Sequence, residues 1–173
     1  MKRKIYSTGI ICLLLLVLFI IAVSGYRNKS KMSRLYEEYR YPNEEFYGKE
    51  LYSEIDYECS DYESKVGNEI ANRGLEVLQY SGTEQDAETE MGNVGALGQY
   101  YCFHTKNAVL QKGTLKFITC KTVGNEGHVW VVYTCGKYDE NGSLVNGSSD
   151  ILSLWHIEKQ GDEWFVVRIQ EAP

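Results

Sequence analysis

The sequence predicts an α+β protein: an N-terminal transmembrane helix, then helices packed on an antiparallel β-meander. Three observations predict it. Four runs rich in Val, Ile, Thr, Tyr, Phe and Trp, the residues that suit a pleated surface, occupy Thr114–Val123, Gly127–Asp139, Asp150–Lys159 and Glu163–Gln170. Turn-forming residues separate them: Gly124-Asn125-Glu126-Gly127, Asn141-Gly142 and Gly161-Asp162. Upstream, an apolar stripe at helical spacing follows a capping signal, and an uncharged run, Ile5–Val23, follows Lys2-Arg3-Lys4.

Taken in order, residues 1–4 read as a short cytoplasmic tail and residues 5–23 as a signal-anchor helix. A bilayer core needs about 20 apolar residues, and Ile5–Val23 approaches that length. Ala22-Val23-Ser24 also resembles a cleavage site, so a removed signal peptide is the alternative. Basic residues flank the run on both sides, with Arg27, Lys29, Lys31 and Arg34 beyond it, and the positive-inside count is a near tie. An extracytoplasmic body is favoured because such segments export the chain beyond them and because the body holds Cys59, Cys102, Cys120 and Cys135.

Residues 24–59 read as an acidic, tyrosine-rich juxtamembrane segment. The net charge of −6 includes +3 from Lys2-Arg3-Lys4, so the remainder is strongly acidic and offers no basic surface for nucleic acid. Leu35, Tyr36 and Tyr39 recur at helical spacing before Pro42, and Tyr47, Leu51 and Ile55 recur after Asn43, which suits an N-cap. The acids read as solvated faces of these helices.

Residues 60–173 read as the body. Ser60-Asp61-Tyr62-Glu63 has the form of a capping box and opens a helix to about residue 80, with Val66, Ile70, Ala71, Gly74, Leu75, Val77 and Leu78 as its apolar stripe. Thr83 to Gly113 reads as an acidic patch and a glycine-containing loop, then a strand at Gln99–His104 that puts Cys102 and His104 on one face. In the last hairpin, a two-residue turn at Gly161-Asp162 pairs Lys159 with Trp164, Ile157 with Val166 and Trp155 with Arg168. One face then carries Leu152, Leu154, His156, Phe165, Val167 and Ile169. The other carries Ser153, Trp155, Ile157, Trp164, Val166, Arg168 and Gln170. Both faces are rich in apolar groups, so each needs a cover: helices on one, and further chain, a second subunit or a ligand on the other. Trp155, Trp164 and Arg168 are the expected interface, with Arg168 stacked on an indole.

The four cysteines of the body are disulfide candidates with three possible pairings. A metal or redox reading would join Cys102 and His104 to His128 or His156, but no Cys-x-x-Cys or His-x-x-x-His spacing supports it, and no cofactor motif occurs. His156, in an apolar strand, is the one candidate general base, without an evident carboxylate partner. His156, His104 and Trp130 are the expected ligand-facing residues. There is no nucleophile elbow, P-loop or metalloprotease helix. Three glycosylation triplets begin at Asn28, Asn141 and Asn146 and matter only in a eukaryotic secretory pathway.

Helices first, a short strand, then a long meander closing on Leu154-Trp155-His156-Ile157-Glu158-Lys159, a turn and Trp164-Phe165-Val166 resembles the nuclear transport factor two-like superfamily over about residues 60–171. The resemblance implies a curved sheet wrapped round helices, with an open pocket that in its enzymes holds acid/base residues, often Asp with His or Tyr. The expected function is a membrane-tethered extracytoplasmic domain that binds a protein partner, a second copy or a small ligand without catalysis. One version resembles the scaffold subunits of conjugation and type IV secretion machines. The alternatives are a small pocket enzyme of isomerase, dehydratase or hydrolase type using His156, and a secreted disulfide-bonded binding module.

Overall fold

The computed structural model describes residues 43–172. The chain divides into two compact units, Met1–Phe46 and Tyr47–Pro173, and the second is the α+β body. The expected tail, the span at 5–23 and the helix at 35–39 lie outside the described residues. No helix among the described residues is long and apolar enough to cross a membrane.

The body begins before residue 60. Gly48, at φ 83, interrupts the helical run expected from Asn43 to Ile55, and the chain resumes as a short helix α1 (Lys49–Tyr52) and a 3-10 turn (Ser53–Asp56). Tyr47, Leu51 and Ile55 still pack together as their spacing predicts.

The long helix α2 (Asp61–Gln79) starts where the capping box places it. The Glu63 N–H donates to Ser60 Oγ at 3.3 Å, and the Ser60 N–H donates back to Glu63 Oε2 at 2.9 Å. Two orphan donors of the first turn are thereby satisfied. Glu63 does more than cap: its carboxylate also accepts from Ser60 Oγ at 2.7 Å, Tyr57 Oη at 3.0 Å and the Thr122 N–H at 2.9 Å. Burial pushes this acid up, but those hydrogen bonds outweigh it and hold Glu63 down at about 2. The cap thus ties the helix start to the first strand.

Between helix and sheet the structure departs from expectation. The acidic patch is a short helix α3 (Glu84–Glu90), capped by Thr83. The strand expected at Gln99–His104 is instead two 3-10 segments, Gly95–Tyr100 and Cys102–His104. Tyr100, Tyr101 and Cys102 are buried in succession, which the alternating faces of a half-buried strand do not allow.

The meander forms as predicted: β1 (Leu110–Val123), β2 (Glu126–Tyr138), β3 (Leu144–Gln160) and β4 (Glu163–Glu171) pair antiparallel in sequence order. β1 and β3 start earlier than their apolar runs suggest. Asp150, the expected start of β3, is an irregular point inside it, at φ 54, where its N–H donates to Thr134 Oγ1 at 3.1 Å.

The last hairpin keeps the expected register only near its turn. Lys159 faces Trp164 and Ile157 faces Val166, but a bulge then inserts Val167, so His156 faces Arg168 and Trp155 faces Ile169. The bulge has a physical reason. Strict alternation would send Arg168 to the same side as Val166, into the helix-covered core, where an unpaired guanidinium is costly. One extra residue puts Ile169 there and turns Arg168 to the other side.

Two cores result. Val66, Ile70, Val77 and Leu78 of α2 meet Val129, Val131, Trp155, Ile157 and Val166 on the helix face. On the second face, Tyr47 and Tyr52 cover Trp130 and Leu154. The second cover is therefore more of the same chain. Gly74 lets α2 settle directly on the sheet, because a Cβ there would overlap the Trp155 indole.

Candidate functional site

Trp155 and Arg168, expected on one face, stand on opposite sides of the sheet. Trp155 is fully buried on the helix face and donates from Nε1 to Tyr100 Oη at 3.2 Å. Trp164 is half-buried and donates to Tyr62 Oη at 3.2 Å. The expected stacking of Arg168 on Trp155 does not occur. Trp130 is fully buried beneath Tyr47, with ring centroids 4.9 Å apart, and faces no open space for a ligand. His104 is exposed on its 3-10 turn, against Phe103, and Cys102 beside it is buried.

His156 is the expected residue around which a site does assemble. Lys121, His128, His156 and Arg168 are partners across consecutive strands, one from each of β1 to β4. They form a row across the second face. The two imidazoles meet edge to face with centroids 4.8 Å apart. Glu54, from the 3-10 turn after α1, bridges one end of the row: its Oε2 lies 2.8 Å from His128 Nδ1 and its Oε1 accepts from Lys121 Nζ at 3.0 Å. The carboxylate that His156 lacks in the sequence is therefore present one strand away, on His128.

At the other end, Arg168 forms no ion pair with an acid among the described residues. Arg168 is exposed, and its Nη2 lies 2.8 Å from His156 Nε2 and 3.2 Å from Nδ1. A nitrogen this near both ring nitrogens stands over the face of the imidazole, while Gln170 Oε1 lies 3.4 Å from Nε2. Burial first, then the charges of Arg168 and His128, hold the His156 imidazole below its ordinary value. The site is thus asymmetric: Glu54 screens Lys121 and His128, and Arg168 meets solvent beside a neutral imidazole.

A second polar cluster lies on the helix face at the end of the sheet. The Glu171 carboxylate accepts from Tyr133 Oη at 3.2 Å and, by a shorter bond, from Tyr100 Oη. Burial, followed by the Glu171 charge, pushes both phenols up. A cavity of about 100 Å³ adjoins them, lined also by Lys137, Asn146 and Ser148, far smaller than the several hundred Å³ that drug-sized ligands occupy. A larger open groove, about 540 Å³, runs between Lys112, Thr114, Thr134, Tyr138 and Leu144.

No three His, Cys, Asp or Glu side chains among the described residues converge as a metal would need. The four cysteines among the described residues are free thiols in this structure, Cys59 half-buried and the others buried. No protein-family model matches the chain, and no curated protein matches it as a relative.

Sequence reasoning found His156 and Arg168 separately but missed their pairing, and it missed Glu54 and Lys121 altogether. Lys121, His128 and Arg168 interrupt otherwise apolar runs on three strands. That recurrence is the one signal that points to a shared row. Nothing in the sequence singles out Glu54 among its acidic neighbours.

Proposed function

We propose that the chain is a membrane-tethered extracytoplasmic binding domain without catalysis of its own, and that it takes an acidic group of its ligand or partner at the Arg168 end of the row. The carrying observation is the exposed Arg168, beside His156 and without an ion-pair partner among the described residues, on a body that is otherwise strongly acidic. An arginine at such a place offers a rigid fork of donors to a carboxylate or phosphate. The helix-covered face supports the same reading, since Trp155 and its neighbours fill it with side chains. The order of helices and meander is in keeping with the nuclear transport factor two-like resemblance. A scaffold subunit of a secretion or conjugation assembly is the version of this role that the N-terminal apolar run favours.

The test uses the full chain in intact cells. A photo-crosslinking amino acid in place of exposed Val167, next to Arg168, should give discrete adducts that vanish with Arg168→Glu. The same probe in place of Glu140, in the β2–β3 turn, should give none. If Val167 yields no adduct, or adducts indifferent to Arg168→Glu, the row is not a contact site. Protease added to the same cells should digest the body; complete protection in intact cells, with digestion once the membrane is permeabilised, would mean that the body lies inside.

One observation favours a second reading, a small pocket enzyme. Glu54 holds His128 by Nδ1, which leaves Nε2 as the lone-pair nitrogen when the ring is neutral, the arrangement by which a carboxylate orients a general base. The base would then be His128 and not His156. Under this reading Glu54→Gln abolishes turnover and leaves ligand binding intact.

A further inference from the structure

We infer that Cys59 and Cys120 are a disulfide-forming pair, which closes when the chain meets a disulfide oxidant. Four cysteines can be divided into two pairs in three ways, and the fold sets the Cys59 sulfur against the backbone of Cys120. Cys59 sits immediately before the N-cap of α2, and Cys120 lies on β1. The Cys120 N–H donates to Cys59 Sγ at 3.1 Å, and Thr119 Oγ1 lies 3.2 Å from the same sulfur. A sulfur in hydrogen-bond contact with the backbone of the other cysteine is within side-chain rotation of a bond to it, given the usual Cβ separation of about 3.5–4.5 Å across a disulfide. Cys102 and Cys135 belong elsewhere: both lie near the Lys137 ammonium, which bonds the Tyr101 carbonyl.

The order of the chemistry follows from exposure. Cys59 is half-buried and Cys120 fully buried. The Cys59 thiolate attacks a small-molecule disulfide such as oxidised glutathione, forming a mixed disulfide and expelling one glutathione thiolate, which takes up the proton that Cys59 gave to water. Cys120 then loses its proton, bonds to Cys59 Sγ and expels the second thiolate. Two cysteine thiols are oxidised and one glutathione disulfide is reduced to two thiols, so the exchange balances. Burial first, then Cys59 and Glu63, push the Cys120 thiol up to about 12, so the second step is the slow one. The product would staple the start of α2 to the edge strand, beside the Glu63 contact that already joins them.

This inference is independent of any binding role, and its test reads sulfur chemistry alone. The full chain, reduced and then held with oxidised glutathione, is alkylated, digested without reductant and mapped. The expected result is one linked peptide pair joining Cys59 to Cys120. In Cys120→Ser, a glutathione adduct should accumulate at Cys59. In Cys59→Ser, Cys120 should stay alkylatable after unfolding and acquire no partner. Full alkylation of both cysteines in the unfolded wild-type chain after oxidant treatment would overturn the inference. So would linkage of either one to Cys102 or Cys135.

Discussion

The two faces of the sheet are covered by the same chain in different ways. On the helix face, α2 lies flat on the sheet at Gly74, and the polar atoms there are fixed by short networks such as Trp155–Tyr100. On the second face, Tyr47 and Tyr52 cover Trp130, and beside that cover the row of basic and imidazole side chains runs out to solvent at Arg168. One face is given over to packing. The other is divided between packing and exposed charge, and the division is where a binding role has room to operate.

The two faces differ most in what their buried indoles hold up. Trp155→Ala removes a fully buried side chain from the face that holds most of the core, and large aromatic truncations cost about 3–5 kcal/mol. Trp130→Ala removes an equally buried ring from the smaller core, and its Nε1, which has no hydrogen-bond partner among the described residues, loses nothing when it goes. The expected order in urea unfolding is Trp155→Ala well below Trp130→Ala, with Trp130→Ala still below wild type. Equal losses would mean that the second face contributes no less to stability than the first.

Glu63 makes the tie between α2 and the sheet depend on pH. Its carboxyl is held at about 2 in the folded chain against 4.5 for an ordinary glutamate. A depressed acid contributes stability that is complete above the unfolded value and is lost as pH falls from about 4.5 towards 2. Unfolding free energy should therefore fall across that window more steeply in wild type than in Glu63→Gln. The substitution itself should cost roughly 1–3 kcal/mol at neutral pH, because the Thr122 and Ser60 donors lose a charged acceptor. Parallel pH profiles for the two proteins would show that the helix–sheet tie is not formed.

How much of this was legible in the sequence divides along the same line. The capping box, the α2 stripe and the four strands are local patterns, and Ser60, Val66, Ile70 and the turn glycines announce them directly. The hairpin register was legible to Ile157–Val166 and no further. Beyond it the Val166-Val167-Arg168-Ile169 run offers alternation two ways, and only the cost of burying Arg168 decides between them. That cost acts through α2, far upstream in the chain but adjacent in space, so a strand read by itself does not carry it. The row was hidden for a related reason. Its members lie on four strands and a distant turn, and Arg168 joins them only through the bulge that the sequence hides.

The smallest expected effect concerns that bulge and its charge. Arg168 is exposed, so Arg168→Ala should change stability by no more than about 0.5 kcal/mol, within the scatter of most surface substitutions. The effect lies in the neighbour. His156 is held below its ordinary value by burial first and by the Arg168 charge second, so removing the guanidinium must make the imidazole easier to protonate. Its pKa should rise in the variant while staying below 6.5, because burial and His128 remain. The sign for stability follows: with the folded value depressed, the unfolded chain takes the proton first, and stability falls as pH drops through about 6.5. That loss should be shallower in Arg168→Ala than in wild type. Nuclear magnetic resonance titration of the His156 ring measures the shift directly, with His104, exposed on its own turn and outside the row, as the internal reference. An unmoved His156 titration would mean that Arg168 does not stand over the ring. The bulge at Val167, and with it the exposed end of the row, would then be wrong.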